Sequence, residues 1–252
     1  MFLALAEWRE SRSDRVDAAG TSESVAGTPV TAVATAGTLV IAAALTSVPG
    51  AAIAYAVPPR GPVAVPSRWW SGAPAPLPAR AAIVATTAAS AGLLAAATDR
   101  VAMGAALIAT ATVYAVLAVS DLRVRRLPHR LTAAAWMTAV LATLTEATAR
   151  GELAPAAEAF TTTIGVVVLL LGIAFALPGQ LGLGDVNLAG TVVLSLAWSG
   201  WTTGLIAVLV GLVLQAVVAA VAVVASAESN IRLPCGPSLV AGWLITAVVV
   251  AL

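Results

Sequence analysis

Ser120-Asp121-Leu122-Arg123-Val124-Arg125-Arg126-Leu127-Pro128-His129-Arg130-Leu131-Thr132 is a polar island between two long apolar runs, Val101–Val119 and Leu131–Ala149. A second island, Gly182-Leu183-Gly184-Asp185-Val186-Asn187-Leu188, follows the apolar run Ala156–Leu177. A helix needs ~20 apolar residues to cross ~30 Å of hydrocarbon, so runs of this length predict membrane-spanning helices, with one aspartate at the edge of each island. Ionisable residues at membrane depth are expensive and default to functional roles, which makes Asp121 and Asp185 the first candidates.

Working outward, the same reading gives about eight candidate helices: Val30–Val57, Ala81–Ala97, Val101–Val119, Leu131–Ala149, Ala156–Leu177, Val186–Trp198, Trp201–Ala225 and Leu239–Leu252. Val186–Trp198 is short and reaches spanning length only with Leu183 and Trp201 drawn in at its ends. The chain is therefore expected to be an all-α, polytopic helical membrane protein. Its 60% hydrophobic and 10% charged residues agree, as does a mean hydropathy of +0.97. A spanning β-barrel would alternate in ~10-residue segments, and these Ala-, Val- and Leu-rich runs do not.

A net charge of +1, built from 13 scattered arginines and no lysine, offers no surface able to neutralise many phosphates. A nucleic-acid partner is excluded on that ground; the lipid bilayer is the expected surrounding. The single cysteine, Cys235, makes neither an internal disulfide nor a CxxC metal site, and its expected role is packing as a small apolar residue. No metal site and no cofactor are expected.

Residues 1–28 mix Arg9, Arg12 and Arg15 with five acidic residues and end in a Gly/Ser/Thr-rich tract, the composition of a disordered tail. The apolar run at Met1–Ala6 is too short for the core of a cleaved signal peptide. Residues 29–100 are expected to hold extra N-terminal transmembrane helices. The proline-rich stretch Pro58–Arg80 reads as a loop with Trp69 and Trp70 at an interface. Residues 101–252 form the membrane domain that contains both islands.

Two predicted spans separate Asp121 from Asp185, so both carboxylates lie on one side of the membrane. Arg123, Arg125, Arg126 and Arg130 crowd the Asp121 island, and the positive-inside rule places that side in the cytosol. Arg60, Arg68, Arg80 and Arg232 then fall inside as well, with Arg100 and Arg150 outside. The arginine cluster reads as a topology signal and headgroup contact rather than as catalytic machinery. Glu146, Glu152 and Glu158 are expected near the outer interface, without a role.

Two such aspartates on one side of the membrane suggest an aspartic protease within the membrane. The blander reading of Asp185 is a helix N-cap ahead of Val186–Trp198. Gly182 and Gly184 permit close backbone approach and φ > 0 just before that helix. His129 reads as a solvated loop residue or substrate contact, because no second histidine exists to share a metal. Pro234, Gly236 and Pro237 read as a helix-starting turn, with the shaping of a substrate groove as the lesser option.

The residues resemble the type IV prepilin peptidases, aspartic proteases of the GxGD kind. Their first motif, an aspartate followed by Ile/Leu-Pro-Asn and a polar step into the next helix, is similar to Asp121 with Leu127-Pro128-His129-Arg130-Leu131-Thr132. Gly182, Gly184 and Asp185 match the GxGD box, and Leu233-Pro234-Cys235-Gly236-Pro237 is similar to the Pro-Phe-Gly-Pro-like step before the last helix. The resemblance runs from about Val101 to the C-terminus. It implies Asp121 and Asp185 as catalytic, with Gly182, Gly184, Pro128, Gly236 and Pro237 shaping the site. His129 stands where asparagine is usual, Asn187 where lysine often follows the second aspartate, and Cys235 where an aromatic is found.

Bifunctional members of that family carry a cytosolic domain with paired CxxC motifs that accompanies N-methylation, and this chain has no CxxC. The resemblance thus implies a peptidase without methyltransferase activity, as in short members serving tight-adherence pili, placed in the cytoplasmic membrane. Its partners would be prepilin-like proteins with a short basic leader, a small residue at the cut and an apolar helix. A presenilin-like protease fits less well, since its first aspartate lies within a long apolar helix. Two readings of other classes stand beside it: a proton-coupled transporter using Asp121 and Asp185, which would show inverted repeats and interrupted helices at the midplane, and a catalytically silent scaffold of a pilus or secretion machine.

Overall fold

The structure is a computed structural model and describes residues 29–56, 76–97, 101–125, 127–176, 181–197, 199–226 and 233–251. Among the described residues there are eight helices and no strand: α1 (Pro29–Ala56), α2 (Leu77–Ala97), α3 (Val101–Val124), α4 (His129–Arg150), α5 (Ala154–Ala176), α6 (Leu183–Ala197), α7 (Trp201–Ser226) and α8 (Gly236–Ala251). The chain divides into the units Met1–Ala34 and Thr35–Leu252, and the account below concerns the second. The expected tail at 1–28, the tryptophan pair Trp69-Trp70 and Arg126, Glu228 and Arg232 lie outside the described residues.

Among the described residues four helices are long and apolar enough to cross a membrane, over Leu77–Leu94, Gly104–Val124, Ala154–Ala176 and Trp201–Ala225, while Leu183–Ala197 and Gly236–Val250 are shorter apolar helices. On α5 and α7, Ile164, Val168, Leu169, Phe175, Leu209, Val213, Val217 and Val221 are exposed. Apolar faces this continuous suit contact with lipid rather than water.

The shortest expected span proves the most enclosed. Every residue of α6 from Leu188 to Ala197 is buried, and the helix packs against α4, α5, α7 and α8. Small residues allow this. A Cβ on Gly190 would lie 2.7 Å from Val167 Cγ2 on α5 and 2.9 Å from the Trp136 ring on α4. Thr143 Oγ1 on α4 donates to the Leu194 carbonyl at 3.1 Å, giving the α4–α6 contact a fixed register. The α7–α8 crossing is closer still, because a Cβ on Gly242 would lie nearer to the Gly211 backbone nitrogen than one on Gly190 would to Val167. Such small-residue contacts are how helices associate where lipid removes the hydrophobic drive between them.

Two expectations are corrected here. The apolar run ending at Val119 continues as helix to Val124, since Ser120, Asp121 and Arg123 interrupt hydropathy without breaking the backbone pattern. The loop expected to reach Arg80 ends earlier, for Leu77–Arg80 already belong to α2, with Pro78 tolerated in its first turn. Glu146, in the last turns of α4, is buried and forms an ion pair with Arg150 one turn later, whereas Glu152 and Glu158 are exposed.

The arginine cluster does more than mark topology. Arg123 Nη1 donates to the Ala54 carbonyl at 2.7 Å, and its guanidinium lies 3.6 Å from the centroid of the Tyr55 ring. The C-terminal turn of α1, with its unsatisfied carbonyls, is thereby held against the end of α3 by a cation.

Candidate active site

α3 delivers Asp121 in its final turn, 5% exposed. The turn ends at Arg125, whose N–H donates to the Asp121 carbonyl at 2.8 Å and whose φ of 52° makes it the one non-glycine residue in the left-handed region among those described. That reversal stops the helix and turns the chain toward α4. Pro128 is buried in extended conformation at the N-cap of α4 (φ −64°, ψ 131°). Its carbonyl receives the N–H groups of Leu131 and Thr132, each at 3.0 Å, and Thr132 Oγ1 at 3.2 Å. His129 is exposed, in the first turn of α4 rather than in a loop.

α6 delivers Asp185 in its first turn. Asp185 is not the residue ahead of the helix, as the N-cap reading places it, but the third residue within it. Its carboxylate reaches back and accepts from the backbone N–H of Gly182, the way an acidic residue at this position closes a capping box. A Cβ on Gly182 would lie 3.0 Å from Asp185 Oδ2, close enough to disturb that contact. Neither Gly182 nor Gly184 has positive φ; among the described glycines only Gly151 and Gly200 do. The expectation of φ > 0 is therefore corrected, while close approach is what Gly184 provides, since a Cβ there would meet Leu127 Cβ and Cδ1 at 3.2 Å. Leu127, between Asp121 and α4, thus rests on the backbone of the GxGD segment.

α8 closes the arrangement. The backbone N–H of Gly236, the first residue of the helix, donates to Asp121 Oδ2 at 2.8 Å. A Cβ there would lie 2.7 Å from the same oxygen. Pro237 follows as the second helical residue. The helix N-terminus brings unsatisfied N–H groups and a partial positive charge to a carboxylate that has few other ways to be solvated.

All three motif segments thus converge on one place. Asp121 is near enough for its charge to act on Asp185, and both charges act on Cys235. Burial first, then the charge of Asp185 and then that of Asp121, push the Cys235 thiol up to about 12, so it stays protonated and inert at neutral pH. Cys235 is half-buried at the mouth of α8. Its place beside both aspartates is a finding that packing alone did not anticipate. Asn187, in the position after the second aspartate where lysine is frequent in the resembling family, is exposed and donates to the Leu183 carbonyl of its own helix at 3.0 Å.

No group of three or more His, Cys, Asp or Glu side chains gathers in metal-binding range among the described residues. What the arrangement offers is a pair of carboxyl groups, one half-buried and one buried, with a backbone N–H donor on each.

Residues 107–224 match the model of the type IV leader peptidase family, which supports the resemblance to prepilin peptidases. The match contains Asp121, Leu127-Pro128, Gly182, Gly184 and Asp185, and ends before the Leu233–Pro237 step. No significant match was found among the curated proteins or the solved structures.

Proposed function

We propose that the chain is an aspartic endopeptidase of the membrane that removes the leader peptide of type IV, tight-adherence-like prepilins at the cytosolic face, with Asp121 and Asp185 as its catalytic pair and without methyltransferase activity. The observation that carries this reading is the meeting of Asp121, from the last turn of α3, with Asp185, from the first turn of α6, inside the segment that matches the leader peptidase family.

Two carboxyl groups within reach of each other do not both ionise cheaply, so the pair shares a proton and titrates as a unit. The ionised member takes a proton from a water molecule, whose oxygen attacks the scissile carbonyl carbon. The protonated member donates to the carbonyl oxygen, and its proton and that of the water are redistributed as the C–N bond breaks and the amine leaves. The Gly236 N–H bonded to Asp121 orients that carboxylate and leaves its other oxygen available for the water or the substrate. Gly182 fixes Asp185 in the same manner.

The placement also favours a substrate cut at the membrane edge. Both aspartates lie in terminal helical turns rather than at the middle of interrupted helices, which supports a peptidase over a proton-relaying transporter. A basic leader outside the bilayer followed by an apolar helix within it would bring its junction to this level. Co-expression with a candidate prepilin tests the reading: a mobility shift, with N-terminal sequencing that places the cut just before the apolar helix, supports it, and an unprocessed prepilin in the presence of well-expressed protein contradicts it.

A further inference from the structure

Deeper in the bundle than the aspartates lies a polar arrangement that the proposed chemistry does not use. Trp243 Nε1–H on α8 donates to Ser195 Oγ on α6 at 2.8 Å, and the Tyr114 hydroxyl on α3 lies 3.5 Å from the same oxygen. The Ser195 hydroxyl itself donates to the Val192 carbonyl at 3.0 Å. With its hydrogen directed there, the Ser195 oxygen accepts from the indole, and the Tyr114 hydroxyl has both Ser195 and Thr191 as partners. The Tyr114 and Trp243 rings meet edge to face, with centroids 5.1 Å apart at 82°. All three residues are 0 or 1% exposed.

These residues sit on the same three helices that carry the site. Tyr114 lies about two helical turns before Asp121 on α3, Trp243 about two turns after Gly236 on α8, and Ser195 about three turns beyond Asp185 on α6. Buried donors have one position in which all are paired, a directional constraint that adds to the close packing of the helices. A slip of α8 by one residue moves its end by ~1.5 Å, enough to break the 2.8 Å contact from Gly236 to Asp121.

We infer that Tyr114, Ser195 and Trp243 are positioning residues for the aspartate pair, a buried hydrogen-bonded node that fixes the axial register of α3, α6 and α8 and so keeps the Gly236 N–H on Asp121 and Asp121 beside Asp185. The activity arm of its test rests on the peptidase reading; the exchange arm does not.

The test uses the full chain in lipid nanodiscs with Ser195→Ala, Trp243→Phe, the double variant and Tyr114→Phe, which retains the ring and guards against loss of folding in the others. Ser195→Ala strands the indole N–H in the core, while the double variant removes that donor and its acceptor together and leaves the Tyr114 hydroxyl with Thr191 as its partner. Three quantities are read: thermal stability, kcat and KM on a prepilin, and hydrogen exchange at the Gly236 amide. The node predicts that the double variant regains the stability lost in Ser195→Ala but keeps kcat about tenfold low with KM within about twofold, because a misplaced catalytic group slows chemistry more than binding. It also predicts Gly236 exchange about tenfold faster in the serine, tryptophan and double variants. Recovery of kcat and of Gly236 protection along with stability would overturn the inference, as would unchanged Gly236 exchange in every variant. Failure of the unmodified chain to cleave prepilin would defeat the peptidase reading instead, with the register still decided by exchange at Gly236.

Discussion

The backbone N–H of Gly236 donates to Asp121 Oδ2 at 2.8 Å, so the acidic side chain at the end of α3 is bound by the first residue of α8. These residues are 115 positions apart, and no other kind of residue fits at 236 without moving Asp121. Gly236→Ala sets a methyl group 2.7 Å from the carboxylate oxygen. The carboxylate must rotate off the N–H, and processing is expected to fall by about tenfold or more with about 1–3 kcal/mol lost in stability. Gly172→Ala on α5, where nothing lies within 4 Å of the new Cβ, serves as the control and should change stability by no more than about 0.5 kcal/mol. Equal activity in the two variants would remove Gly236 from the site.

The thiol of Cys235 reports on the aspartates without any need for substrate. Burial and the two negative charges push it up to about 12, so at pH 8 it should react with a maleimide or iodoacetamide at least about a hundredfold more slowly than free cysteine. Removing one charge favours the thiolate. Alkylation should therefore accelerate in Asp185→Asn, and an identical rate in that variant would separate Cys235 from Asp185. Processing should persist after chelation, since no described cluster of residues is suited to a metal.

The orientation of the chain is checked by single-cysteine labelling in a Cys235→Ala background. His129 and Leu183 are exposed at the starts of α4 and α6, and Leu153 and Trp201 at their far ends. Cysteines at 129 and 183 should be labelled from the cytosol and those at 153 and 201 from outside, as the arginines at 123–130 require. Labelling of 129 and 183 from opposite faces would dismantle the shared site.

The acidic pair was legible in the sequence because a charge inside an apolar run has few structural excuses. Asp121 and Asp185 stand out at once, and the intervening runs place them on one face. What was not legible depends on contacts distant in the chain. Arg123 reads as one more positive-inside residue until the Ala54 carbonyl and the Tyr55 ring are found beneath it. Gly184 reads as a residue wanted for close approach and positive φ, but the sequence does not name the partner, Leu127, that lies against its backbone, and the positive φ is not used. Hydropathy alone ends α3 at Val119, five residues before the helix itself ends at Val124, because hydropathy follows the solvent and helical hydrogen bonding does not. Tyr114, Ser195 and Trp243 carried no signal at all: 81 and 48 residues separate the hydrogen-bonded partners, and a serine or a tryptophan in an apolar helix has no visible partner in sequence.

The central claim is that Asp121 and Asp185 together perform the hydrolysis, and it is tested most directly by purified protein in nanodiscs acting on a prepilin, with Asp121→Asn, Asp185→Asn and the double variant compared at equal insertion. The amide keeps the shape of the carboxyl group but neither takes nor gives the required proton, so each single variant should lose at least about a thousandfold in rate and the double should be no worse than either. Cleavage at an appreciable rate by either single variant would contradict the account.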